Sequence, residues 1–366
     1  MRVWINDLWV SPKTKAKTEN DLREGVYRDP RLASKTFEDA AIAWLEGKKK
    51  PTGASMKRYR DALDVWALPK WSQRRLATID KAELDAWLSA LALGTVPHAE
   101  GREVRGGGLG PAAIKAVWIP FKTSLANDVE LGWLASNPAR NVETMKAARP
   151  ENIFLDYVQV ERLAKAARSI GGKLSDPMMV ELMAFAGLRP GEVVALRAQD
   201  VDLDARRIRI RRTMTIDVTG APTLGEPKHG ERRDVPIAPH LIDHLRQLTA
   251  DRPASAPLVS SLRGQPVNIH NWRSRVWNGA VRNAGLEETY GSALTPKALR
   301  HTAASMAIAA AADVKVIQRM LGRADASMTL NTYADLWPHR LDEVTAAVSA
   351  QRAKALGRAP EIMTES

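Results

Sequence analysis

A change of period constrains the fold most. From Arg206 to Thr215 the chain alternates Arg207, Arg209 and Arg211 with Ile208 and Ile210. Side chains along a strand point to opposite faces in turn, so this run predicts a half-buried strand with a basic outer face. Val235-Pro236-Ile237 reads as a second strand, and Val3-Trp4-Ile5 and Trp9-Val10 as short ones. Elsewhere the apolar residues recur mostly at helical spacing. Phe37, Ala40, Ala41, Trp44 and Leu45 form one such set, ended by Gly47 and Lys48-Lys49-Lys50-Pro51. Tyr59, Leu63 and Trp66 continue the pattern, as do Leu84, Trp87, Leu88 and Leu91 behind the candidate N-cap Asp80. The expected fold class is mainly α with a small antiparallel β-sheet.

Punctuation divides the chain. Residues 1–35 make a short N-terminal segment, and residues 36–146 a helical domain interrupted by a long loop from Gly94 to Pro111. That loop carries Arg105-Gly106-Gly107-Gly108-Leu109-Gly110-Pro111 but lacks the Gly-Lys-Ser/Thr ending of a phosphate-binding loop, so it reads as a connector. Helical patterning resumes from Ala112 to about Leu134, where Asn137-Pro138 stops it. A linker at 147–151, marked by Arg149-Pro150, precedes a larger mixed α/β domain, 152–350. That domain opens with an amphipathic helix from Val158 to Ala167. Ser175-Asp176-Pro177 then reads as an N-cap followed by proline at the first helical position, opening an apolar helix from Met178 to Ala186. Residues 351–366 form a tail.

Composition narrows the function. Lys and Arg number 54 against 42 Asp and Glu, a net charge of +12, which suits an anionic partner such as nucleic acid. The chain has no cysteine, which removes disulfides, thiolate metal sites and cysteine nucleophiles. The N-terminus lacks the apolar stretch of a signal peptide, and no run approaches the ~18 apolar residues of a membrane span. A cytoplasmic protein is expected, with no membrane partner. His240 and His244 are four apart, but no third ligand accompanies them, so neither a metal nor a cofactor is expected.

Three motifs carry chemistry. In Gly187-Leu188-Arg189-Pro190-Gly191-Glu192, Pro190 fits the first turn of a helix, which places Arg189 beside free N–H groups and a positive dipole end. Such a corner suits a phosphate oxygen, and Glu192 is placed to tether Arg189 or the neighbouring chain. Taken alone, it also fits a helix-start arginine in a surface ion pair. In Thr295-Pro296-Lys297-Ala298-Leu299-Arg300-His301-Thr302, Lys297 and Arg300 are three apart on a helix that Thr295 caps, which serves an anion or a solvated basic face equally. In Leu321-Gly322-Arg323, Gly322 caps a helix beginning near Asp313, and a short following helix carries Tyr333. Lys228 lies in a candidate turn, Gly225 to Gly230.

Together these residues resemble the catalytic domain of the tyrosine recombinases, the phage integrase family, from about Asn152 to Trp337. Gly-Leu-Arg-Pro-Gly-Glu is similar to the family's first-arginine box, Leu-Arg-His-Thr to its second, and Leu-Gly-x with Thr329 and Tyr333 to its tyrosine box. The resemblance implies that Tyr333 is a nucleophile forming a 3′-phosphotyrosyl link. It implies that Arg189 and Arg300 hold the phosphate and that Lys228 protonates the leaving oxygen, with Lys297 and Arg323 as further catalytic cations. Glu192 and His301 would support them. Residues 36–146 would be the core-binding domain, and residues 1–35 a truncated remnant of an arm-binding one. Implied partners are double-stranded DNA attachment sites, a homotetramer assembled on DNA by exchange of C-terminal segments, and host DNA-bending or directionality factors. The implied activity is integration or excision of a phage or other mobile element. Lys297 and Arg323 stand where the family more often has His, and His or Trp, and His229 where it often has Thr. Two alternatives therefore stay open: a catalytically impaired DNA-binding remnant, and a chromosome-dimer resolvase. A topoisomerase of related chemistry fits the tyrosine box less well.

Overall fold

The computed structural model describes residues 3–5, 8–10, 34–49, 51–97, 99, 107–146, 152–227, 230–261, 263–322 and 341–356. The chain divides into two compact units, Met1–Arg149 with Ile216–Ala221, and Pro150–Thr215 with Pro222–Ser366. Among the described residues, no helix is long and apolar enough to cross a membrane.

In the first unit, β1 (Val3–Ile5) and β2 (Leu8–Val10) pair antiparallel, with Trp4 opposite Trp9. Its helices are α1 (Phe37–Glu46), α2 (Gly53–Ala62), α3 (Leu68–Trp71), α4 (Lys81–Leu93) and α5 (Pro111–Glu130). Caps set several starts. The Asp39 N–H donates to Thr36 Oγ1 at 3.3 Å, while the Thr36 N–H donates to Asp39 Oδ2 at 3.0 Å. Asp80 accepts the Glu83 N–H at 2.8 Å, as an N-cap should. α5 stops at Glu130 rather than near Leu134, because the N–H groups of Trp133 and Leu134 turn back onto the Asp128 carbonyl at 2.8 and 3.2 Å.

Phe121 on α5 centres the core of this unit. Its ring lies 4.3 Å from Phe37, 4.7 Å from Trp87 and 5.6 Å from both Trp71 and Trp118, between centroids. Aromatic pairs of this kind add about 0.5–1.5 kcal/mol each beyond the area they bury.

Close by on α5, Asp128 is fully buried, and neither carboxyl oxygen meets a hydrogen-bond donor among the described residues. Burial, reinforced by the charge of Asp39, raises its pKa to about 7. An unfolded chain releases this proton near pH ~4. Between the two values the folded state holds more protons, so stability must fall as pH rises from about 4 to about 7. Asp128→Asn is expected to flatten that slope. Denaturant midpoints measured from pH 5 to pH 8 should decline in the wild type and stay nearly level in the variant.

The second unit is built around α7 (Ser175–Phe185), buried along almost its whole length. Against it pack α6 (Tyr157–Gly171) and, later in the chain, α13 (Pro296–Ala309). A helix buried on every side belongs inside a larger core, which here also takes in Ile208, Ile210, Val235, Trp272 and Trp277. The Ser175-Asp176-Pro177 expectation needs correction. Ser175 is already helical and Leu174 is the N-cap. Asp176 is buried and accepts the Trp272 indole N–H at 3.0 Å and the Lys173 N–H at 3.2 Å.

α8 (Pro190–Ala195) leads into β3 (Val201–Asp202), β4 (Arg207–Ile210), β5 (Thr213–Ile216), β6 (Pro222–Gly225) and β7 (Arg233–Pro236). The strand expected from Arg206 to Thr215 is two strands, and Arg206 itself sits in a turn at φ 51°. β4 is the middle strand of an antiparallel sheet ordered β3-β4-β7, with Ile208 opposite Val235 and Ile210 opposite Arg233. Three arginines of this stretch are paired with carboxylates. Arg209 pairs with Asp202, Arg211 with Asp234 at 2.5 Å and Arg212 with Asp200 at 2.5 Å.

Beyond the sheet come α9 (Ile242–Thr249), α10 (Ile269–Trp272), α11 (Asn278–Asn283) and α12 (Glu287–Tyr290). After α13 follow α14 (Val314–Leu321) and α15 (Leu341–Ala355). His240 sits edge-on to Phe185, with ring centroids 4.6 Å apart. His244 Nδ1 lies 3.7 Å from the buried carboxylate of Glu181. The two histidines thus serve separate contacts.

Candidate active site

Arg189 is the N-cap of α8, and Pro190 stands in its first turn. Glu192, one turn in, is completely buried. It accepts the Arg189 backbone N–H at 2.9 Å on Oε2 and Arg189 Nη1 at 2.7 Å on Oε1. Close approach explains the second glycine of the motif: a Cβ on Gly191 would stand 2.6 Å from the Met214 carbonyl oxygen.

A second guanidinium closes over the same carboxylate. Arg233 on β7 donates Nη1 to Glu192 Oε1 at 3.1 Å and Nη2 to Oε2 at 2.7 Å. Burial pushes the Glu192 carboxyl upward. The Arg233 hydrogen bonds and charge, joined by those of Arg189, more than reverse this and hold its pKa at about 2. Arg233 belongs to none of the three sequence motifs. The available signal was period two on the strand, which puts Arg233 on the same inward face as Val235. A cation there needs a buried acid.

Arg300, on α13, is 7% exposed. Its Nη1 donates to the Gly187 carbonyl at 2.6 Å and its Nη2 to the Leu321 carbonyl. Arg189 Nη2 donates to the Gly322 carbonyl at 2.9 Å, and Arg233 Nε to the Met320 carbonyl at 2.9 Å. Three consecutive carbonyls at the C-terminal end of α14 thus each receive a different arginine. Such carbonyls have no partner within the helix and sit at its negative pole. Gly322 ends the helix at φ 54°, and a Cβ there would stand 2.9 Å from Arg233 Nη1.

The structure therefore brings together Arg189, Glu192 and Arg300. Lys297 is exposed near the start of α13, and His301 is half-buried next to Arg300. Lys228, His229, Arg323 and Tyr333 lie outside the described residues.

Residues 154–340, half of the chain, match the phage integrase family. The chain belongs to that family. Phage integrase family members are tyrosine recombinases, enzymes that cleave and rejoin DNA at specific sites. The chain is 26% identical over 293 residues to tyrosine recombinase XerC of Xanthomonas campestris pv. campestris strain B100, covering 79% of this chain and 80% of that one. With XerC of Proteus mirabilis it shares 27% over 231 residues, 61% of this chain and 67% of the relative. The fold is like that of the Tn1549 transposon integrase solved with circular intermediate DNA, with a TM-score of 0.65 at 17% identity over 85% of this chain and all of that one. It is also like a lambda integrase dimer bound to a core site, with a TM-score of 0.55 at 15% identity, covering 80% and 95% of the two chains.

Gly322→Ala tests the packing of this arginine cluster. The added methyl group meets the Arg233 guanidinium, and the left-handed backbone disfavours alanine. The variant should lose about 1–3 kcal/mol of stability in chemical denaturation.

Proposed function

We propose that this chain is a site-specific recombinase of a phage or other integrative element, acting through a 3′-phosphotyrosyl intermediate on Tyr333. One observation carries the reading. Arg189 and Arg300, more than a hundred residues apart in sequence, meet at the end of α14, from which the chain runs on to Tyr333. Two fixed cations at one point suit the non-bridging oxygens of a phosphodiester and the extra charge of its pentavalent transition state. In the proposed step the Tyr333 phenolate oxygen bonds to phosphorus. The phosphorus–5′-oxygen bond breaks, and Lys228 gives that oxygen a proton. A free tyrosine ionises near pH ~10, and surrounding cations lower that value. Attack by a 5′-hydroxyl from another duplex reverses the step and frees the tyrosine. Lys297 and Arg323 add donors to the phosphate, and His301 supports the site.

In this reading residues 36–146 and 152–350 each bind double-stranded DNA, and four chains assemble on two attachment sites. Host bending or directionality factors assist, at the nucleoid in the cytoplasm. The likeness to XerC recombinases over 79% of the chain favours a second reading, resolution of chromosome dimers, with the same chemistry.

The test is to incubate the protein with fragmented DNA of the genome that encodes it, recover covalent adducts under denaturing conditions and sequence them. Adducts are expected with the wild type and none with Tyr333→Phe. Recovered sequences should flank an integrative element; sequences from one chromosomal locus without such an element would favour dimer resolution. An adduct that persists in Tyr333→Phe, or none with wild type, overturns the recombinase mechanism, the latter leaving a DNA-binding remnant.

A further inference from the structure

We propose that Arg233 is a positioning residue of the recombinase site, serving as the dedicated counter-charge of Glu192 so that Arg189 keeps its own positive charge for the DNA phosphate. The proposal rests on the reading above, in which Arg189 holds that phosphate. Three observations support it. Arg233 is fully engaged: both terminal nitrogens are on Glu192 and Nε is on the Met320 carbonyl, with the side chain only 8% exposed. Each of its three side-chain nitrogens thus has a partner within the protein. Arg189 shares the same carboxylate but is 26% exposed, so it keeps accessible donors. Glu192 itself is 0% exposed, so no solvent screens its charge.

The charges then partition simply. Glu192 fixes the Arg189 backbone N–H and its Nη1, and without a second cation its negative charge would cancel that of Arg189. The two-pronged Arg233 fork neutralises the carboxylate from the other side. One net positive charge remains, carried by the more exposed of the two arginines. The same fork fills the space where a side chain at residue 322 would stand, which ties the counter-charge to the first residue after α14.

The test uses Arg233→Met, Arg233→Lys and the double variant Glu192→Gln/Arg233→Met in the full chain, each checked for folding by its thermal melt. The probe is a fluorescein-labelled duplex of about 30 base pairs, titrated at several salt concentrations; the slope of log affinity against log salt counts the cations engaged. Arg233→Met should lower that slope by about one and weaken binding, and the double variant should restore both. Arg233→Lys keeps the charge without the fork and should hold the slope. On DNA recovered as covalent adduct, Arg233→Met should slow adduct formation by about 100-fold, and the double variant should regain about tenfold. A purely structural role would leave the salt slope unmoved in all three variants. The proposal falls if folded Arg233→Met binds and reacts like wild type, or if the double variant shows no recovery over it. If Arg233→Met does not fold, a slope for the double variant below that of Arg233→Lys overturns the proposal. Absence of any wild-type adduct counts against the recombinase mechanism alone, because the duplex slopes still decide the role of Arg233.

Discussion

Three arginines from three separate stretches of the chain end on three consecutive backbone carbonyls. Arg233 reaches Met320, Arg300 reaches Leu321 and Arg189 reaches Gly322. A helix of eight residues cannot satisfy its last carbonyls internally, and its C-terminal pole attracts cations. The end of α14 is thus held by the guanidinium groups gathered around Glu192 and Gly187. The segment leading to Tyr333 departs from that point, so its starting position is set by the groups proposed to hold the phosphate.

Two buried carboxylates show how partners decide the cost of burial. Glu192 accepts four donors from two arginines and is held ionised, with a pKa of about 2. Asp128 meets no donor among the described residues and is pushed to about 7. The first sits in the second unit, where a permanent charge orders the arginines. The second sits in the helical unit beside a core of stacked rings, where its neutral form is the better tolerated one.

Much of the fold was legible because local rules wrote it. Helical period and capping residues placed α1, α4, α6, α8 and α14, alternation placed β4, and Val235-Pro236-Ile237 pointed to β7, which runs from Arg233 to Pro236. The mainly helical class with a small antiparallel sheet follows from those two periods. Local rules failed where tertiary contacts took over. The carbonyl of Asp128 collects two turning N–H groups and ends α5 early. Asp176 is held by an indole far along the chain, a contact that its cap-like neighbours do not announce. In the site, Arg189, Glu192 and Arg300 stood out because proline and glycine frame them. Arg233 did not, since an arginine beside Arg232 and Asp234 looks like any charged edge until the inward register of Val235 is taken seriously.

Every acceptor along the end of α14 is a main-chain oxygen. Any amino acid at positions 320 and 321 supplies one, so no side-chain replacement there can delete the attachment of the arginines. The burden falls on the donors and on the single missing methyl group at Gly322. Leu321 is still held by its buried side chain, but the attachment itself depends on the three arginines and one glycine. A search for distant relatives that weights those four positions above the residues around them would follow the architecture further than overall identity does.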